Sequence, residues 1–355
     1  MSSAALEQTA MIRGDDNERR RGEFGSIEFE TVDCPLCGAG RWEPLVESPD
    51  FETGLGGIFR VVRCVGCGLA FTNPRPTPAS IAQFYPANYS PHEGHGQDTS
   101  LRGRIRRALG RSVLRCDYNY PPQPLGAGVA MLATVGRFLI RSTRRRAEWI
   151  PFRGDGRLLD FGCGAAGFAR RMRGFGWSVE GLDASQTVAE RVERETGIRV
   201  HVGSLPHSRV APRSFDAITM WASLEHVHDP RSVVRAAREA LRPGGTLVVS
   251  VPNIASWPAR TFRHAWWGLE LPRHLVHFTP DTLTRLLEIE GLYVQRLDHI
   301  GRDGWLRRSA HRLTQLGLRP RWLRACRWKP VALPISRWTE QARQAENIIA
   351  IVERR

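Results

Sequence analysis

Two segments of this chain carry residues whose type and order suggest cofactor chemistry. LLDFGCGAAG runs from Leu158 to Gly167, and Asp183 closes the segment WSVEGLD that follows. An apolar strand running into a glycine turn, then a helix, a second strand and an acid at the ribose position describe a nucleotide-type cradle. Gly162-x-Gly164-x-x-Gly167 also satisfies the dinucleotide fingerprint, and Asp160 decides between the two ligands. A pyrophosphate would lie over this turn on the positive end of the helix. A carboxylate two residues before the first glycine repels such a group. S-Adenosylmethionine has an ammonium and a sulfonium in place of phosphate, so Asp160 attracts it, and it is the cofactor expected.

Two further constellations follow. Cys34-Pro-Leu-Cys37-Gly and Cys64-Val-Gly-Cys67-Gly are paired turns that each present two thiols to one point. In a reducing compartment they read as a tetrahedral S4 site for structural zinc at Cys34, Cys37, Cys64 and Cys67, with iron as the minor alternative. Glu225-His226 lies at the carboxyl end of a predicted strand, where open α/β sheets bind ligands. A histidine there can accept a proton near neutrality while Glu225 orients or polarises it. His274 and His277, beside Trp266 and Trp267, are secondary candidates for the wall of an acceptor pocket. Cys163 reads as a small packing residue rather than a nucleophile.

The elements that position these groups alternate. RLLDF, SVEGLD, IRVHVG, FDAITMW, TLVVSVPN, GLYVQRLD and ENIIAIVE read as strands, separated by helical segments such as SQTVAERVERETG, DPRSVVRAAREALRPGG with a glycine stop, and PDTLTRLLEIEG. This predicts an α/β fold with a doubly wound, seven-stranded, mostly parallel Rossmann-like sheet. The expected organisation is a disordered amino terminus (1–28), a zinc ribbon (29–76), a basic connector with amphipathic helices (77–150), and a main domain (151–355) carrying an insert at 301–342 before its last strand.

The order of these motifs resembles the class I S-adenosylmethionine-dependent methyltransferases over about 200 residues, through SFDAITMWASLEHVHDP, LRPGGTLVVSVPN and PRHLVHFTPDTL. With its CxxC…CxxC ribbon, the chain more closely resembles a bacterial subgroup that includes sugar C-methyltransferases. The resemblance implies that Asp160 and the backbone of Gly162, Cys163 and Gly164 hold the methionyl end of the cofactor and Asp183 the ribose. It places the adenine near Ala184, Ser204 and Leu205. Ser204 stands where many relatives have an acid, and Ala166 where many have a third glycine. In the sugar-methylating relatives the pair matching Glu225-His226 is implicated in the active site. Some quinone O-methyltransferases also resemble the chain around LEHV, but they carry an extra glutamate where this sequence has Ala222. Zinc is therefore assigned to the ribbon alone.

The resemblance and the site together imply a methyltransferase acting on carbon or oxygen of a small-molecule or glycan-linked acceptor, in cell-surface polysaccharide or secondary-metabolite biosynthesis. The formal net charge is +15, concentrated in arginine runs at 102–115, 137–146 and 307–327. Such a field attracts nucleic acid, anionic lipid or phosphorylated compounds. Nucleic acid as acceptor is disfavoured, because the basic runs lack interleaved aromatics and no NPPY-type signature follows the fourth strand. A catalytically silent scaffold at a membrane surface is a further alternative, and peripheral contact with anionic membrane is compatible with catalysis. No apolar h-region precedes the first arginines, so no secretory signal and a cytoplasmic location are expected.

Overall fold

A computed structural model describes residues 27–85, 114, 118, 120, 150–317 and 321–354. Nearly all of the expected disordered terminus, and the amphipathic segments at 101–115 and 129–149 apart from Leu114, lie outside the described residues. The amino-terminal unit consists of β1 (Phe29–Glu30), β2 (Trp42–Pro49), β3 (Ile58–Cys64), β4 (Ala70–Thr72) and β5 (Arg75–Pro76). β2, β3 and β4 form an antiparallel sheet, while β1 pairs with β5 alone. Each CxxCG turn closes with the glycine N–H donating to the first cysteine's carbonyl, Gly38 to Cys34 and Gly68 to Cys64. Both glycines have φ above +70°, the left-handed conformation that side chains disfavour.

The main domain alternates as expected: β6 (Arg157–Phe161), α1 (Gly167–Arg173), β7 (Ser178–Asp183), α2 (Gln186–Thr196), β8 (Val200–Val202), β9 (Phe215–Trp221), α3 (Pro230–Ala240) and β10 (Leu241–Pro252). After a short helix α4 (Trp257–Phe262) come β11 (Val276–His277), α5 (Pro280–Ile289) and β12 (Tyr293–Ile300). The predicted insert folds into α6 (Asp303–Gln315), α7 (Arg321–Ala325) and α8 (Lys329–Gln341), and β13 (Asn347–Glu353) follows. Sheet order is β12-β13-β10-β9-β6-β7-β8, parallel except at β13, which runs antiparallel to both neighbours. The central strands β6 and β9 are buried along nearly their whole length, as expected of parallel strands covered on both faces.

Local chemistry sets the element ends. Ser185 caps α2 and Asp229 caps α3, while Thr279 and Thr282 form a reciprocal capping box on α5. The expected glycine stop of α3 comes earlier than the glycines. Arg242 precedes Pro243, which disfavours helical backbone, so the helix ends at Ala240 and Leu241 already pairs with Phe215. Gly244 and Gly245 then fall in the register shift between Leu241 and Thr246.

The ribbon is not free-standing. β11, from the loop between α4 and α5, pairs antiparallel with β4, so the four-stranded sheet runs β11-β4-β3-β2. Cys34, Leu36, Val62, Cys64 and Phe71 share one hydrophobic cluster with Leu275, Val276 and strand residues of the main sheet. Next to that seam, fully buried Arg273 forks onto Asp50 at 3.0 and 3.1 Å and donates to the Phe84 carbonyl. Two-point Arg–carboxylate geometry of this kind is among the stronger polar contacts.

Candidate active site

The chain reverses direction across the sheet between β6 and β9, since β7 and β8 extend one side and β9 and β10 the other. Ligands bind beyond the carboxyl ends of strands at such a switch point. Asp160 sits there on β6, 2% exposed, accepting from Thr219 Oγ1 of β9 at 2.7 Å. Desolvation lifts its pKa to about 7, with Thr219 and Arg171 opposing and Asp183 adding to the rise. Asp183 ends β7 and accepts from the backbone N–H groups of Gly164 and Ser185. Gly162, at φ +67°, cannot take a side chain, because a Cβ would lie 2.5 Å from Ser223 Cβ. Two nearly buried carboxylates around a glycine turn are costly alone. A cationic ligand offsets that cost, so the donor set fits S-adenosylmethionine.

The other predicted cradle residues divide. Cys163 is buried with its sulfur against Gly181, where even a Cβ would come within 2.9 Å of it. That is a packing position. Ala166 takes the left-handed conformation at φ +53° and caps α1 without a side-chain bond. Ala184 and Ser204 are exposed at the ends of β7 and β8, while Leu205 is buried. Phe168 and Trp221, which sequence reading did not nominate, pack at 5.0 Å between their ring centres. Phe168 lies in the first turn of α1, after the glycine turn, and Trp221 is the last residue of β9.

Glu225 and His226 occupy a single 3-10 turn just after β9. His226 does not cap the next helix, since Asp229 does. Its Nδ1 lies 3.1 Å from the Arg273 carbonyl and 2.9 Å from the Tyr85 hydroxyl. A carbonyl can only accept, so the Arg273 contact favours the proton on Nδ1 and leaves the lone pair on Nε2. Glu225 is fully buried, and neither carboxyl oxygen has a hydrogen-bond partner among the described residues. Desolvation raises its pKa to about 8; Glu270 adds to the rise and Arg302 opposes it. Its carbonyl accepts from Leu275 N, which ties the turn to the loop that carries the two later histidines.

Those histidines have different surroundings. His274 is buried with its ring 4.6 Å from that of His226, and its Nδ1 faces the Gly268 carbonyl at 3.0 Å. Burial, then the neighbouring His226 and His277, hold it well below the ordinary histidine range. His277 lies on β11, with Nε2 3.1 Å from Thr72 Oγ1 of β4, and burial pushes its pKa down to about 3. It is part of the seam between the sheets. Trp266 is core, whereas Trp267 is half-buried under the guanidinium groups of Arg308 and Arg312.

Among the described residues, two groups have the composition of a metal site. In one, the thiols of Cys34, Cys37, Cys64 and Cys67 all lie within 4.8 Å of one another, which fits the S4 set. The other is Glu225, His226 and His274, again within 4.8 Å. This trio suits either a proton relay or a divalent ion. Setting a catalytic metal aside on Ala222 alone did not anticipate His274, which arrives from a loop far along the chain. Tyr85, Asp50 and Arg273 were missed for the same reason. Each reaches the site through tertiary packing, and no local motif marks them.

Residues 131–297 match the family described as a methyltransferase domain. A ubiquinone biosynthesis O-methyltransferase of Aeromonas salmonicida is 33% identical over 171 residues, which cover 44% of this chain and 72% of that protein. The enzyme of the same name from Pseudomonas aeruginosa is 34% identical over 117 residues, 30% of this chain. This chain spans 50% of that relative's length. A solved S-adenosylmethionine-dependent methyltransferase of Mesorhizobium loti is 21% identical, with a TM-score of 0.41, covering 59% of this chain and 95% of that one.

Proposed function

Because the chain belongs to the S-adenosylmethionine-dependent methyltransferases, we propose that it methylates a carbon or oxygen of a small-molecule or sugar-linked acceptor, with Glu225 and His226 handling the acceptor's proton. The cofactor supplies, when bound, a methyl group on a sulfonium leaving group. Asp160 and the turn backbone from Gly162 to Gly164 hold its methionyl end and Asp183 its ribose, with the adenine toward Ala184, Ser204 and Leu205. His226 Nε2 takes the acceptor proton, while the Arg273 carbonyl and Tyr85 hydroxyl fix the ring. Glu225, in the same 3-10 turn as His226, places a buried carboxyl beside that imidazole. Zinc at Cys34, Cys37, Cys64 and Cys67 has a structural role, holding the ribbon to the domain it packs against.

One observation carries this reading. Asp160 on β6 and the Glu225–His226 turn after β9 lie at the carboxyl ends of adjacent, hydrogen-bonded strands. That arrangement sets a cation-binding acid beside a candidate base. Calorimetric titration with S-adenosylmethionine tests the first half, and no heat at millimolar ligand sinks the proposal. The second half is tested with radiolabelled cofactor against nucleotide sugars and acceptors of ubiquinone biosynthesis. Label should pass to one class in the wild type and be lost in His226→Ala.

A further inference from the structure

The helical insert contains a cleft of about 860 Å³ lined by Arg302, Arg307, Arg308, His311, Arg327 and Trp305. Asp303 is its one lining carboxylate, so four arginines face a single acid. Several arginines elsewhere in the fold are ion-paired, among them Arg75 with Glu30, Arg231 and Arg235 with Glu290, Arg242 with Asp155 and Asp216, and Arg273 with Asp50. Among the described residues, no carboxylate comes within 4 Å of the guanidinium groups of Arg307, Arg308 or Arg327. Other contacts hold them at the cleft. Arg307 Nε donates to the Arg327 carbonyl at 3.1 Å, and Arg308 lies 4.6 Å over the Trp267 ring.

Arg307, Arg308, His311 and Arg327 are exposed, so water and salt screen their mutual repulsion, and the cluster presents a concentrated positive field to an entering anion. The cleft also includes the first turn of α6, a 13-residue helix whose positive end adds to the field. Gly304 leaves that turn uncovered, since a Cβ there would meet no atom within 4 Å. Planar guanidinium forks with a helix amino end match tetrahedral oxyanions carrying more than one charge. We propose that this cleft is a binding site for a phosphate- or pyrophosphate-bearing ligand. None of its lining residues belongs to the cofactor cradle. The bound group belongs either to a soluble phosphorylated compound or to an anionic lipid headgroup.

Inorganic pyrophosphate and phosphatidylglycerol vesicles probe the two sources on the full chain, without cofactor or acceptor. The Arg308→Gln/Arg327→Gln double variant should weaken pyrophosphate binding about tenfold, as read by calorimetry at physiological salt. Arg324→Gln/Arg337→Gln removes the same charge from exposed positions of the insert outside the cleft and should leave affinity unchanged. Arg327→Glu alone guards against a packing effect at Trp267 and should give a loss of similar size. If pyrophosphate does not bind but vesicle flotation is lost only in the cleft variants, the site stands and its source is the lipid headgroup. Equal losses in both double variants would reduce it to the general field of a +15 chain and overturn it. So would binding to neither probe.

Discussion

Asp160 and Glu225 are carboxyls held near or above neutrality by burial, and their pH behaviour separates their roles. Asp160, raised to about 7, is largely protonated at pH 6 and must ionise to favour a cation. S-Adenosylmethionine affinity should therefore increase from pH 6 to pH 8, with proton release at pH 6 visible as buffer-dependent binding heat. Asp160→Asn should bind about tenfold or more weakly and lose that release; an unchanged affinity would remove Asp160 from the cradle. Glu225, raised to about 8, should give methyl transfer a rising limb near that pH. Glu225→Gln should abolish the limb and slow turnover by about 10²–10⁴-fold. Stability moves the opposite way. The folded pKa lies above the unfolded value of about 4.3, so stability is complete below that pH and is lost as pH rises toward 8. Glu225→Gln should thus match the wild type in urea unfolding at pH 4 and exceed it at pH 9.

At the level of elements, the seam between ribbon and main sheet depends on a buried ion pair. Asp50 and Arg273 are both fully inaccessible, and removing Asp50 takes the two-point partner from the buried guanidinium, leaving the longer 3.4 Å contact to Glu270. Asp50→Ala should cost about 3–5 kcal/mol in urea denaturation, whereas Arg60→Ala, which breaks the exposed pair with Glu47, should cost about 1 kcal/mol or less. Tyr85→Phe should leave stability nearly unchanged but shift the pH profile of turnover, since it removes only the hydroxyl on His226. The sequence made the strands legible where burial is continuous, as in RLLDF and FDAITMW, and the helices where caps are explicit, as in PDTL. Asp160, Asp183, Glu225 and the cysteine pairs were legible because glycine turns, strand ends and CxxC spacing are local patterns. β11 was not: two residues carry no periodicity, and Val276–His277 becomes a strand only because β4 offers an unpaired edge. The same limit hid Asp50, Tyr85 and the recruitment of His274.

For the whole molecule, metal content is the informative measurement. Zinc should co-purify in stoichiometric amount, and Cys37→Ser/Cys67→Ser should lose it. The thermal midpoint of the entire chain should fall, because the ribbon cysteines share a cluster with Leu275 and Val276. A melt in which only a minor early transition moves would contradict that shared core. A second metal equivalent that disappears in His274→Ala would place an ion among Glu225, His226 and His274. The seam also sets a timetable for biosynthesis. Thr72 of β4 and His277 of β11 are 205 residues apart in the chain, and a ribosome adding about 5–20 residues per second takes about 10–40 s to cover that interval. For that time the nascent ribbon exposes β4 as an open edge, a template for mispairing. Early zinc capture by the two cysteine turns would hold the hairpin in register until its last strand is made, a task for the metal during synthesis rather than in the finished protein.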